Sequence, residues 1–205
     1  MKKIFRALAN PAFLFKCLWS NVMYGLRAKE FHYNNYIEKP FVLRGIKNIS
    51  LGKGSFIRKN AHIEVMPYTG EYGCEFRMGK YSHFQFGAHI IATKSIVVGD
   101  YCNIGTNVYI ADNTHTYENI DVPVKLSPIK QLRPITIGDG TWIGTRAVII
   151  GCSIGKHCVI GANSVVKHNI PDYCVAVGMP ARIIKRYDSQ TKTWRKTDPK
   201  GEFLD

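Results

Sequence analysis

"ITIGDGTWIGTRAVIIGCSIGKHCVIGANSVV", residues 135–166, decides the fold. Ile137, Ile143 and Ile149, then Ile154, Ile160 and Val166, put one bulky aliphatic residue at every sixth position, with one residue missing between Ile149 and Ile154. Gly138, Gly144, Gly155 and Gly161 follow four of them. The fourth residue on is small or β-branched: Thr141, Ala147, Ser153, Cys158 and Ser164. A period of six fits neither a helix nor an alternating strand, which repeat at 3.6 and 2. It fits a solenoid coiled as a triangular prism. Each hexad makes one short strand and one corner; the large aliphatic fills the interior and the small residue points inward near the corner. Glycine is expected at the corners because it tolerates positive φ. Stacked coils lie about 4.8 Å apart and bury their inner faces only against neighbours, so several are needed.

The same profile extends upstream through Leu51, Ile57 and Ile63, through Met78, Phe84 and Ile90, and through Val98, Ile104 and Ile110. Their small partners are Ser55, Ala61, Ser82, Ala88, Cys102, Val108 and Thr114. Five coils over residues 51–171 result. The departures are an insertion at 66–77, two extra residues near Ser95–Val97, and the longest break, 116–136. That break follows "IADNTHTYEN", residues 110–119, which presents Asp112, Asn113 and His115. Long loops in a regular scaffold usually carry function.

Three parts are expected: an N-terminal helical, basic-apolar segment (1–40), the β-helix (41–180), and a C-terminal segment with a hairpin tail (181–205). The fold class is mainly β. In the tail, "RYDSQTKTWRK" reads as two strands about a polar turn, with Trp194 free to pack back and residues 197–205 frayed. Residues 12–26 carry one charge, Lys16, and are too few to span a bilayer. They suit a docked helix. They also suit a segment lying on an anionic membrane, with Phe13, Phe15, Trp19 and Tyr24 in the interface and Lys2, Lys3, Arg6, Lys16 and Arg27 towards the headgroups. The expected location is cytoplasmic, peripheral at the inner face of the membrane if residues 1–28 touch it.

The 205 residues carry a formal net charge of +13, which suits polyanionic partners. Nucleic acid is not expected, since no helix-turn-helix, zinc finger or aromatic RNA-binding motif appears. No GxxxxGK[ST] loop supports nucleotide hydrolysis. The six cysteines include no CxxC pair and read as reduced core thiols.

These hexads, with "VGMPARIIKR" at 177–186, resemble the hexapeptide-repeat acyltransferases, sugar and polysaccharide O-acetyltransferase branch. "PFVLRGIKNISLGKGSFI" and the tail resemble its lipopolysaccharide and capsule members. The resemblance implies a left-handed parallel β-helix, a homotrimer with active sites between subunits, acetyl-CoA as acyl donor, no metal, and a carbohydrate acceptor. It makes His115 the catalytic base. A sugar hydroxyl is a weak nucleophile, and a neutral imidazole takes its proton as it attacks the thioester. Asp112 and Asn113 either orient His115, bind sugar hydroxyls, or cap a turn. His83 and Gln85 are candidates for the acceptor wall. Trp142, Thr145 and Ala162 match positions beside the cofactor arm. Arg182 and Lys185 match cations for the 3′-phosphate of coenzyme A. Lys167 is a further cation candidate, although the family lysine falls at His168. His62, His157 and His168 read as surface residues. A γ-type carbonic anhydrase shares the fold but needs a histidine where this chain has Ile120. A drug-modifying or small-sugar acetyltransferase and a non-catalytic binding prism are the rival readings.

Overall fold

The structure is a computed structural model that describes residues 10–67 and 73–204. The hexad aliphatics form its interior; none is more than 2% exposed. Three parallel sheets make the prism. The first face stacks Ile49–Leu51, Glu75–Met78, Ser95–Val98 and Ile135–Ile137, and single bridges carry it on to Ile154 and Ile170. The second stacks Tyr36–Ile37, Phe56–Ile57, His83–Phe84, Asn103–Ile104, Trp142–Ile143, Val159–Ile160 and Cys174–Gly178. The third stacks Val42–Arg44, His62–Val65, His89–Ala92, Tyr109–Ala111, Val148–Ile150 and Val165–Val166. Coiling starts upstream of residue 41: Glu30, Tyr36–Ile37 and Val42–Arg44 already make a turn, one pairing to each face.

The glycines after the aliphatics have a different reason from the one expected. Positive φ falls two residues later, at Gly54, Asn60, Tyr81, Gly87, Tyr101, Asn107, Gly140, Arg146, His157 and Asn163. The glycines themselves are needed because the next coil lies against them. A Cβ on Gly144 would stand 2.5 Å from the Ala162 nitrogen, and one on Gly105 2.7 Å from that of Thr145.

The corner between the first and second faces is a polar spine. Ser82 Oγ donates to the Gly99 carbonyl at 2.6 Å and accepts from the Cys102 N–H at 2.9 Å. Thr141 Oγ1 repeats this with the Gly155 carbonyl and the Cys158 N–H, at 2.8 and 3.1 Å. Ser55 does the same with Gly79 and Ser82. Cys102 Sγ reaches the Gly138 carbonyl at 3.2 Å. Two small residues depart from the inward pattern. Thr114 is exposed because the chain has already left the prism, and Cys152 takes the buried place expected of Ser153. The missing residue moves that corner up by one.

Helix α1, Pro11–Ser20, closes one end of the prism. Asn10 caps it, accepting from the Ala12 N–H at 2.9 Å, and Pro11 supplies a first-turn φ without needing a donor. Its inner side docks through Cys17 and through Ser20, whose Oγ donates to the Ile37 carbonyl at 3.1 Å. Phe13 meets Tyr36 edge-on and Lys16 pairs with Glu38 at 2.9 Å. Of the membrane-facing residues expected from sequence, Phe13 and Tyr24 thus pack on protein; Lys2, Lys3 and Arg6 lie outside the described residues.

At the other end Ala181–Asp188 pairs antiparallel with Cys174–Gly178 and with Thr193–Lys196, the expected hairpin. Trp194 packs on Tyr187 at 5.8 Å. The stretch from 197 is not frayed as expected. Thr197 bridges Phe203, Asp198 accepts from the N–H groups of Lys200 and Glu202, and Arg195 lies over the Phe203 ring. Asp205 lies outside the described residues.

Candidate active site

The break in the repeat is a projecting arm. Asn113–His115 pairs antiparallel with Ile129–Gln131, a 3-10 turn at Val124–Leu126 lies between them, and the first face resumes at Ile135. Register puts Asn113, His115, Ile129 and Gln131 on one side of the ribbon and Thr114 and Lys130 on the other. Gln131 Nε2 donates to the Thr93 carbonyl at 3.1 Å, and Asn113 Nδ2 to that of Ile91 at 3.2 Å. This side therefore leans over the corner at residues 91–95. His115 extends beyond both. It is exposed, and its ring has no hydrogen bond among the described residues, so either nitrogen is free for a ligand.

Asp112 departs from the expectation that it meets a sugar. It is fully buried. One carboxylate oxygen accepts from the Thr93 N–H at 2.7 Å and Thr93 Oγ1 at 2.9 Å; the other accepts from the N–H groups of Lys94 and Ser95 at 2.7 and 2.9 Å. The extra residues in the hexad count form this bend, and Asp112 ties it to the base of the arm. Asp112 is a positioning residue for the arm.

A second group lies along the second face and its far corner. Trp142 is 53% exposed beside Thr145 and Ala162, both small or short and open to solvent. The outward line runs Asn103, Trp142, Val159, Val175 and then Lys185 on the returning strand, and Arg182 pairs with Val177 at the corner. Sequence spacing thus becomes one exposed edge: an aromatic ring, two short side chains and two cations. These are residues suited to a long thioester arm ending in a phosphorylated nucleotide. Lys167 is not part of it. It follows Val166 at the corner between the third and first faces, on the side of the arm.

His83 lies two rungs from Trp142 on the same outward line, roughly 10 Å away, with Asn103 between them. Its ring stacks on Phe56 at 3.8 Å, and Phe56 stacks on Tyr36. Burial and then the Arg58 guanidinium push His83 down to about 4, against a bond to the Gly54 backbone, so it is neutral at pH 7. Gln85 follows in the same rung, partly exposed. On the third face His62, expected at the surface, is partly exposed on the outward side, where it stacks on His89 at 4.2 Å and bonds Glu64 at 2.9 Å. Burial and then His62 hold His89 low, opposed by Glu64. Sequence reading missed Asn103 and Gln131. Only strand register exposes them: Asn103 from its place between His83 and Trp142, Gln131 from its pairing with Asn113.

His115 and the Trp142 edge occupy different corners of one prism. The third face separates them by about five residues of extended chain, roughly 16 Å. One chain does not bring the two groups together.

Comparison with known proteins agrees with this architecture. A family profile described as the hexapeptide repeat of succinyl-transferase matches residues 134–168. A galactoside O-acetyltransferase of Escherichia coli is 32% identical over 159 residues, covering 76% of each chain. A putative lipopolysaccharide biosynthesis O-acetyl transferase of the same organism is 34% identical over 116 residues, 53% of this chain and 59% of that one. A probable acetyltransferase of Mycobacterium tuberculosis is 40% identical over 44% of this chain, which spans only 28% of its length. Among solved structures, AntD, an N-acyltransferase from Bacillus cereus in complex with dTDP and 3-hydroxybutyryl-CoA, superposes with a TM-score of 0.67 over 83% of this chain and 89% of that one, at 19% identity. At that identity the likeness concerns the fold, and it assigns the coil its left-handed winding.

Proposed function

We propose that this chain, which belongs to the hexapeptide-repeat acyltransferases, transfers an acetyl group from acetyl-CoA to a sugar hydroxyl of a surface polysaccharide or its precursor. The observation that carries this reading is the free imidazole of His115, held exposed at the root of an arm that the buried Asp112 anchors. In the proposed reaction His115 takes the proton of the acceptor hydroxyl while its oxygen attacks the thioester carbonyl. The C–O bond forms and a tetrahedral oxyanion results, suited to nearby backbone N–H donors. Collapse breaks the C–S bond, and the departing thiolate takes the proton back from His115.

The donor would lie along the Trp142, Thr145 and Ala162 edge, with its phosphates towards Arg182 and Lys185. Because that edge and His115 sit on different corners, the site is complete only where two prisms lie side by side. A homotrimer meets this requirement three times. Asn113, Gln131, His83 and Gln85 are then the polar groups available to the acceptor. The hydroxyl acceptor is supported by the relatives above 30% identity, named for galactoside and lipopolysaccharide O-acetylation. The N-acyltransferase structures are near 20% identical and bear on the fold.

An acceptor panel tests the proposal: free glycosides, nucleotide-linked sugars with and without an amino group, and lipid-linked or polymeric bacterial glycans. Thiol release is followed and the product is identified by mass and by lability to alkaline hydroxylamine. An ester on a polysaccharide precursor is expected. An amide on an amino sugar would overturn the hydroxyl acceptor, and the absence of acceptor-dependent thiol release would overturn acyl transfer.

A further inference from the structure

The helix that closes the prism presents a second apolar face outward. Leu14, Phe15, Leu18, Trp19, Val22 and Leu26 are between 48% and 97% exposed. Leu14 and Leu18 sit one turn apart with Phe15 and Trp19 beside them, so these four form one stripe, and Val22 and Leu26 follow it in the π-helical turn Asn21–Gly25 and just past it. No described residue covers it. The inner side of the same helix is satisfied by Cys17, Ser20 and Phe13 against Tyr36 and Ile37, so the stripe is surplus to the fold.

Charge says what meets it. Residues 1–44 carry eight Lys and Arg against two Glu. Lys39 and Lys16 border the groove of about 690 Å³ that Phe15 and Trp19 share with Ile37. Lys39 and Arg27 make no ion pair among the described residues. The sequence places Lys2, Lys3 and Arg6 just upstream. An apolar stripe with an indole ring, bordered by Lys39, which has no ion pair among the described residues, and by Lys16, which Glu38 pairs, matches the boundary between acyl chains and anionic headgroups. A protein partner would leave those cations to find acidic residues of its own. The helix has ten residues, about 15 Å, too short to cross the hydrocarbon core, so it would lie in the membrane plane.

We infer that the capped end of the prism docks on an anionic membrane surface through this stripe. The inference goes beyond acyl transfer and does not depend on it. The direct test is co-sedimentation of the full chain with vesicles of phosphatidylcholine and phosphatidylglycerol, and with phosphatidylcholine alone, at low and high salt. The variant is Leu18→Glu/Val22→Glu, at two exposed positions whose replacement leaves the docked side intact. Sedimentation velocity is run on both proteins. Binding to the anionic vesicles is expected, weakened by salt and at least about tenfold weaker in the variant, with the oligomer unchanged. Failure to bind, or equal binding to neutral and anionic vesicles, overturns the inference. So does a variant that changes oligomeric state, because the stripe would then be a contact between copies of the chain.

Discussion

Asp112 holds Thr93 twice, through its backbone N–H at 2.7 Å and its hydroxyl at 2.9 Å. The two residues belong to successive coils. Through this contact the irregular corner of one coil becomes the foundation of the arm that the next coil extends. Asp112→Ala leaves the N–H groups of Thr93, Lys94 and Ser95 without their acceptor, which costs about 3 kcal/mol or more. The arm loosens, so acyl transfer falls at least tenfold. Coenzyme A affinity is expected to hold, since the edge proposed for it, at Trp142, lies on another corner of the prism. Calorimetric titration with coenzyme A beside steady-state rates separates the two. Equal losses of binding and rate would mean general unfolding.

Gly144→Ala puts a methyl group 2.5 Å from the Ala162 nitrogen. Backbone cannot yield as a side-chain tip does, so stability falls by roughly 1–3 kcal/mol. Gly140→Ala meets only a His157 ring atom at 3.5 Å and suffers instead from its φ of +69°. Denaturant midpoints of the two variants rank steric contact against backbone strain.

The polar spine makes opposite predictions for two neighbours. Ser82→Ala strands the Cys102 N–H and the Gly99 carbonyl and costs about 1–3 kcal/mol. Cys102→Ser keeps a donor for the Gly138 carbonyl and changes stability by less than about 1 kcal/mol. Thermal unfolding of the two variants checks both.

His83 should show a resonance that does not titrate between pH 8 and 5.5 in an imidazole NMR series, with a midpoint near 4. Arg58→Ala removes a nearby positive charge and moves that midpoint up. The folded value lies below the ordinary 6.5, so the unfolded chain binds more protons between the two. The contribution of His83 to stability is therefore fully present above about 6.5 and is lost as pH falls towards 4.

The prism was legible because one rule repeats. A bulky residue every sixth place suits a triangular coil, and each copy reinforces that reading, although the period does not give the coil its hand. What the repeat does not govern was harder to read. The φ of the corners and the closeness of the coils both favour glycine, and only the three-dimensional structure separates Gly140 from Gly144. Asp112 looked like a turn former, an orienting group or a sugar ligand; its real partners are in Thr93–Ser95, where the hexad count slips by two. The arm pairs residues 113–115 with 129–131, a contact with no periodic signature. The docked-helix reading did not say which side docks: Phe13 and Tyr24, placed in the interface by the membrane reading, pack on protein, because the docked side of a short helix depends on Tyr36, Ile37 and Glu38 beneath it. His115 stands out in the sequence as a histidine at the one long break in a regular array; its role as the base comes from the resemblance to the acyltransferases and is part of the proposal.

The most direct test of the central claim is acceptor-dependent thiol release from acetyl-CoA by the wild type and by His115→Ala, with circular dichroism and coenzyme A binding measured on both. Loss of the general base should lower the rate by about 10²–10⁴-fold while folding and coenzyme A affinity stay as they are. A folded variant that still binds coenzyme A and releases thiol at the wild-type rate would contradict it.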